Sequence, residues 1–256
     1  MITIVFANRK GGVGKTTSTL NVGYALLELG KSVLLIDTDP QANLTNSFPY
    51  VAEAGRRLED VLLGTATLAQ VAQEVGESLY LIPAGPGLVD AQEKRSRQPG
   101  ADLMLRRVLS GVQGFDYCLI DTSPYLGPLT DAALTAADAV FIPTEPEAYG
   151  VDGLIELIVR CNQVQEALNP NLKIGGVFFT CYNRKDPRRV QRDTITMLEN
   201  LEVLKPLLMK QTIRRSVALV EEATGRHNIF QLAPTSTGAL DYAALTTEIL
   251  QRLDHE

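Results

Sequence analysis

The 256-residue sequence predicts an α/β protein, a doubly wound and mostly parallel sheet with helices on both faces. Three features carry that prediction. Short apolar runs alternate with stretches of helical periodicity. The runs are continuously hydrophobic instead of alternating, as strands buried on both faces are. Several end in an aspartate or a glycine-rich turn, at the carboxyl ends of strands where open α/β sheets carry their ligands. The first run, residues 2–7 (Ile-Thr-Ile-Val-Phe-Ala), opens directly onto Asn8-Arg9-Lys10-Gly11-Gly12. Without a basic leader it reads as a buried strand and not as a signal peptide. A helical pattern follows over 16–29, with Gly30 as the C′ residue that ends it. The next strand, 33–36, runs into Asp37. Further strands are expected at 79–82, 117–120, 139–142 and 174–180, and helices near 101–110, 129–137, 150–168 and 190–200. Residues 44–57 and 92–100 read as loops. A last helix is expected over 239–253, just after Gly238; its charges (Asp241, Glu248, Arg252, Asp254) suit core packing and not a basic membrane anchor.

Composition narrows the class. At 45% hydrophobic and 21% charged, the chain is neither disordered nor collagen-like, and its length suits a single domain over 1–256. Cys118, Cys161 and Cys181 are odd in number and form no C-x-x-C pair, which speaks against a disulfide framework or a clustered zinc site and for a reducing, cytoplasmic setting. His227 and His255 are the only histidines and are expected at the surface, so histidine triads and His-rich metal sites are disfavoured. No apolar run approaches the ~18 residues of a membrane span. The net charge of −6 conceals an asymmetry. Arg184, Lys185, Arg188, Arg189, Arg192, Lys205, Lys210, Arg214, Arg215 and Arg226 give 184–226 a balance of +4, against −10 elsewhere. A polyanion partner for the C-terminal third is therefore compatible with an acidic chain.

The segment Lys10-Gly11-Gly12-Val13-Gly14-Lys15-Thr16-Thr17 lies between the first strand and the first helix, where a phosphate cradle belongs. Glycines let successive N–H groups turn inward, and the helix N-terminus favours an anion. Lys15 would reach the β- and γ-phosphates and the Thr16 hydroxyl would ligate Mg²⁺. The strict P-loop expression wants glycine where Arg9 stands. Asp121 follows the run Tyr117-Cys118-Leu119-Ile120, from which a carboxylate can hold a metal-bound water. Asp37 and Asp39 follow the second strand in Asp37-Thr38-Asp39-Pro40-Gln41-Ala42-Asn43. Three acids around one metal and a triphosphate need different roles, one near the attacking water and the others in the metal shell. Each of Asp37 and Asp39 is also a natural cap for a helix or turn.

Together with Leu119-Ile120-Asp121-Thr122-Ser123-Pro124 and Ile142-Pro143-Thr144-Glu145-Pro146-Glu147, these blocks make the chain resemble, over nearly its whole length, the ParA family of partition ATPases. That family belongs to the deviant Walker A class of P-loop NTPases, with MinD and the nitrogenase iron protein. The resemblance implies ATP and Mg²⁺ as cofactors and a cradle of Gly11, Gly12, Val13, Gly14, Lys15, Thr16 and Thr17, with Thr17 at the α-phosphate. It implies that Lys10 crosses to the partner subunit's phosphates in an ATP-bound homodimer, an intersubunit cation akin to an arginine finger. It makes Asp39 the residue that positions or activates water, places Thr16 on the metal with Asp37 and Asp121 acting through water, and puts Asn183 near adenine.

Among relatives, nitrogenase-like carriers need paired cluster cysteines, and Cys118 sits inside a strand instead. The tail Gln251-Arg252-Leu253-Asp254-His255-Glu256 carries neither the basic membrane helix of MinD-like proteins nor a terminal tyrosine cluster. The resemblance therefore points to a nucleoid-associated ATPase that binds DNA non-specifically, through Arg184, Lys185, Arg188, Arg189, Arg192, Arg214 and Arg215. It also implies a ParB-like or adaptor partner whose basic N-terminal segment stimulates turnover, and a plasmid, chromosome or protein body as cargo. Where many relatives read Pro-Arg-Asn-Val-Arg, this chain has Arg214-Arg215-Ser216-Val217-Ala218. A nucleotide-gated dimeric scaffold with little hydrolysis and no DNA role, or a MinD-like positioning ATPase, is the alternative.

Overall fold

The computed structural model describes residues 1–48, 51, 55–147, 150–183, 189–225 and 227–254. Its strands are β1 (Ile2–Phe6), β2 (Val33–Asp37), β3 (Gln73–Gly76), β4 (Leu79–Ile82), β5 (Tyr117–Asp121), β6 (Ala139–Thr144), β7 (Lys173–Phe179) and β8 (Leu208–Thr212). They form one sheet in the order β3-β4-β2-β5-β1-β6-β7-β8. Every neighbouring pair is parallel except the antiparallel edge pair β3–β4. The helices are α1 (Lys15–Glu28), α2 (Asn43–Asn46), α3 (Leu58–Leu62), α4 (Leu68–Val71), α5 (Leu88–Ser96), α6 (Met104–Leu109), α7 (Pro128–Ala136), α8 (Gly150–Ala167), α9 (Arg189–Asn200), α10 (Val217–Gly225), α11 (Ile229–Leu232) and α12 (Thr237–Asp254).

The continuous apolar runs are explained by two cores, one on each face of the sheet. In β1, Ile4 and Phe6 pack into the layer with α1 and α12, and Val5, with Ala7 just past the strand, into the layer with α7 and α8. Successive side chains point to opposite faces, so a strand covered on both sides must be apolar at every position. β1 lies between β5 and β6, and the chain passes from one side of β1 to the other through α7, which creates the crevice at the carboxyl ends of the strands. Register completes the site: Asp121 stands opposite both Phe6 and Asp37, so two acids end neighbouring strands at one level.

Four readings of the sequence change. The 92–100 stretch is helical in its first half, because α5 runs to Ser96 and buries Leu88 and Ala91 ahead of its polar end. The 44–57 stretch begins inside α2, which buries Leu44 and Thr45. The helix near 101–110 is a 3₁₀ turn, Ala101–Leu103, followed by α6. The edge strands β3 and β8 carry too few buried apolar residues to announce themselves, Gln73–Gly76 alternating half-buried and exposed positions. Among the described residues, no helix is long and apolar enough to cross a membrane.

Candidate functional site

The loop between β1 and α1 supplies the floor of the site. Gly12 and Gly14 hold φ of 75° and 89°, the left-handed conformation that residues with a Cβ rarely adopt. Gly14 is the N-cap of α1, no side chain caps that end, and no acid occupies its first turn. The first N–H groups of the helix therefore face outward with the positive end of its dipole. They open onto a cavity of about 530 Å³ lined by Gly11, Gly12, Gly14, Thr16, Thr17 and Asp39, among others. Lys15 is buried beneath the loop, its Nζ donating to the Lys10 carbonyl at 3.1 Å. Burial lowers its pKa while Asp121 and Asp39 pull it back up, so the cation is held beside an anion site by two carboxylates. Val13 turns inward to the core and its carbonyl accepts from Thr180 Oγ1 at 2.9 Å, fixing the loop to the end of β7.

The acids divide as their surroundings dictate. Thr16 Oγ1 donates to Asp121 Oδ2 at 2.7 Å, while Asp121 Oδ1 is buried without a hydrogen-bond partner. Burial and the neighbouring Asp37 push the Asp121 carboxyl well above the usual carboxylate range. A buried, orphaned carboxylate oxygen beside a threonine hydroxyl, at the mouth of an anion cradle, is a donor set that suits a small hard cation and its water shell. Among the described residues no three of His, Cys, Asp and Glu converge as a metal cage, so phosphate oxygens and water would have to complete such a shell. Asp37 is committed to its own loop: Oδ1 accepts from the Asp39 amide at 3.0 Å, and Oδ2 from the Thr45 amide and hydroxyl, each at 2.8 Å. Burial, opposed by those bonds, raises its carboxyl to about 6. Asp39 Oδ1 in turn accepts from the Gln41 amide at 2.9 Å. Two successive Asx turns thus lead the chain from β2 to α2 through Ala42, whose φ of 55° is left-handed. Asp39 is left on the cavity wall facing the cradle.

Lys10 lies on the other flank. Its Nζ donates to Glu147 Oε2 of the same chain at 2.6 Å, and that pairing holds the Glu147 carboxyl below its usual range. Arg9 likewise pairs with Glu156 on α8. Beside the cradle, a groove of about 590 Å³ runs past Thr180, Cys181, Ile213, Arg215 and Val217. Asn183 is exposed and outside the lining of both cavities, so the structure does not bring it to the site in this state.

The basic region is only partly a free surface. Arg184, Lys185, Arg188 and Arg226 lie outside the described residues, and for Arg189 the description covers the backbone of α9 alone. Arg192 and Arg215 are exposed. Arg214 is half-buried and held: its Nε and Nη2 donate to Asp241 of α12 at 2.6 to 3.2 Å, and its amide donates to the same carboxylate. Asp241, which reads in the sequence as one more surface charge, is the reason. Thr45, Glu147 and Glu222 also went unassigned a role in the sequence, since each acquires one through a partner distant along the chain or across a loop; only Glu147 fell within a recognised block.

Comparison with known proteins agrees with this geometry. Residues 1–174 match a family model described as an AAA domain. The chain is 36% identical to the chromosome-partitioning ATPase Soj of Thermus thermophilus, over 98% of this chain and 96% of the relative. A solved structure described as cobyrinic acid a,c-diamide synthase of Mycobacterium smegmatis, with bound ATP analog and magnesium, superposes with a TM-score of 0.86 at 29% identity over 100% of this chain and 96% of that one. Apo McdA of Cyanothece superposes with a TM-score of 0.87 at 26% identity, covering 98% and 99%. With its glycine cradle, buried lysine and paired strand-end acids in place, the chain belongs to the ParA/Soj family of partition ATPases.

Proposed function

We propose that this chain is a Mg²⁺-dependent ATPase, working as one domain, that pairs with a second copy over ATP, binds DNA without sequence preference in that state, and lets go after hydrolysis. The observation that carries the reading is the cradle itself: outward N–H groups at Gly14, a buried Lys15 and Thr16 all border one cavity, with Asp121 hydrogen-bonded behind Thr16. The magnesium and ATP analog bound by the Mycobacterium smegmatis relative support the same pair of ligands here. When bound, the cation supplies charge neutralisation at the phosphate oxygens. Thr16 and, through water, Asp121 hold it, with Asp37 acting mainly by fixing the loop. Lys15 neutralises the phosphates from below. Asp39, on the opposite wall, orients the water that attacks.

Lys10 is the switch element in this reading. In the single chain it is paired with Glu147, and in the dimer it exchanges that carboxylate for the phosphates bound by the other subunit. ATP thereby becomes part of the interface, and dimerisation doubles a modest DNA-binding patch through effective concentration. That patch is built from Arg192, Arg215 and the basic residues 184–189, with Arg214 supporting it from within. A ParB-like or adaptor protein with a basic N-terminal segment accelerates turnover, and a chromosome, plasmid or protein body is the cargo. The chromosome-partitioning name of the Thermus relative favours the first.

The test is a salt-dependent DNA-shift assay with ATP, ADP and no nucleotide, run beside sedimentation. DNA retention and a dimer with ATP alone are expected; equal retention in all three conditions overturns the reading. Phosphate release with and without DNA then separates an ATPase from a nucleotide-gated scaffold.

A further inference from the structure

Beyond the cradle, the wall of the same cavity carries a group the phosphates do not need. Glu222 of α10 is only 2% exposed, yet it borders the cavity with Thr17 and Leu20 of α1. Its Oε2 accepts from Asn21 Nδ2 at 2.9 Å, and that amide also donates to the Thr17 carbonyl at 2.9 Å. The backbone N–H of Ile229 also donates to this carboxylate, while Oε1 is buried with no hydrogen-bond partner. A buried carboxylate left half satisfied is unfavourable, and an ionised carboxylate can only accept hydrogen bonds. It repels phosphate, so the part of a bound nucleotide that meets it is a neutral donor. Position says which. Asn21 stands one helical turn, about 5.4 Å, beyond Thr17, the residue placed at the α-phosphate end of the cradle. In a nucleoside triphosphate the first neutral donors past the α-phosphate are the ribose hydroxyls.

We propose that Glu222, held in place by Asn21, is a ribose-selecting residue whose free carboxylate oxygen accepts a hydrogen bond from a hydroxyl of the bound nucleotide's sugar. This rests on nucleotide binding at the cradle as proposed above. It gives α10, far along the chain, a direct part in reading the ligand, and lets the nucleotide draw α10 against α1. The rival arrangement is a protonated carboxyl that donates to Asn21 Oδ1, itself buried and unpartnered, and takes no part in recognition.

The experiment is calorimetric titration of the full-length protein, in Mg²⁺, with ATP, 2′-deoxyATP and 3′-deoxyATP. Wild type is expected to bind at least one deoxy analogue roughly ten- to a hundredfold more weakly than ATP, the range for a hydrogen bond to a charged acceptor. In Glu222→Gln the amide oxygen turns to Asn21 and the NH₂ faces the cavity, leaving a sugar hydroxyl only a neutral hydrogen bond to accept, so the discrimination should shrink to a few-fold. Equal binding of all three by wild type overturns the proposal without any variant, as does undiminished discrimination in Glu222→Gln. Failure of wild type to bind ATP at all would overturn the function proposed above and this inference with it.

Discussion

Lys10 and Glu147 form a pair whose strength sets how easily the proposed dimer forms. Both side chains are partly exposed, at 30% and 52%, so the ion pair is worth at most about 1 kcal/mol. Glu147→Gln removes that competitor from both copies, and ATP-dependent dimers should then appear at up to about thirtyfold lower protein concentration in analytical ultracentrifugation. Lys10→Ala should act oppositely, abolishing the dimer and hydrolysis while nucleotide still binds; an unchanged dimer would strip Lys10 of its part. Glu222 allows a pH prediction. Burial raises its carboxyl from 4.5 to about 7, against the pull of the Asn21 and Ile229 amides. The folded state therefore favours the protonated form. The stability this confers is fully present below pH 4.5, declines as pH rises toward 7 and is gone above it. The amount is on the order of 2–3 kcal/mol for the nucleotide-free protein. Urea denaturation between pH 4.5 and 8 should show this decline in wild type and a flatter profile in Glu222→Gln.

At the scale of elements, the β2–α2 connection is the part that the sequence reading treated most simply and that the structure makes most specific. Asp37 and Asp39 are both what the strand-end pattern suggests and the turn-makers that their residue type permits: each accepts an amide two residues on. The link that closes this device is Thr45, whose hydroxyl donates to Asp37 Oδ2 and accepts from the Ala84 amide at the end of β4 at 2.9 Å. Thr45→Val keeps the shape and removes both bonds, leaving the buried Ala84 N–H without a partner and Asp37 Oδ2 with the residue-45 amide alone. A loss of about 1–3 kcal/mol in chemical denaturation is expected, with slower hydrolysis because Asp39 is no longer held on the cavity wall. Normal turnover in a destabilised Thr45→Val protein would separate the loop from catalysis. The edge elements failed to announce themselves for a different reason. A strand with one half-exposed side loses the continuous apolar run that marks a central one, so Gln73–Gly76 and Leu208–Thr212 read as connections.

For the whole molecule, charge placement matters more than charge count. The balance of +4 over 184–226 is a property of the sequence, but adjacent arginines in it have different work. Arg215 is exposed, whereas Arg214 ties the β8–α10 connection to α12 through Asp241. Arg215→Ala should leave stability unchanged and lower the salt slope of DNA binding by about 2 per dimer, one phosphate contact from each copy. Arg214→Ala should instead cost about 1–3 kcal/mol of stability by taking the guanidinium from a largely buried carboxylate and leaving it the backbone amide of residue 214. Should Arg214→Ala change the slope and spare the fold, the two assignments would have to be exchanged.

By itself the sequence determined the order of the central strands and helices, the glycine cradle, and the acids at strand ends, because those depend on local conformation: glycine at positive φ, apolar runs of strand length, a helix opening at a fixed offset. The tertiary structure alone decided which charged and polar groups are desolvated and whom they meet. Lys10 finds Glu147 across 137 positions, Asn21 finds Glu222 across 201, and Arg214 finds Asp241 across 27. Such pairings follow from how the layers pack on the sheet, and burial then turns Glu222 and Asp241 from surface charges into held ones, while Lys10 and Glu147 meet at a partly exposed edge.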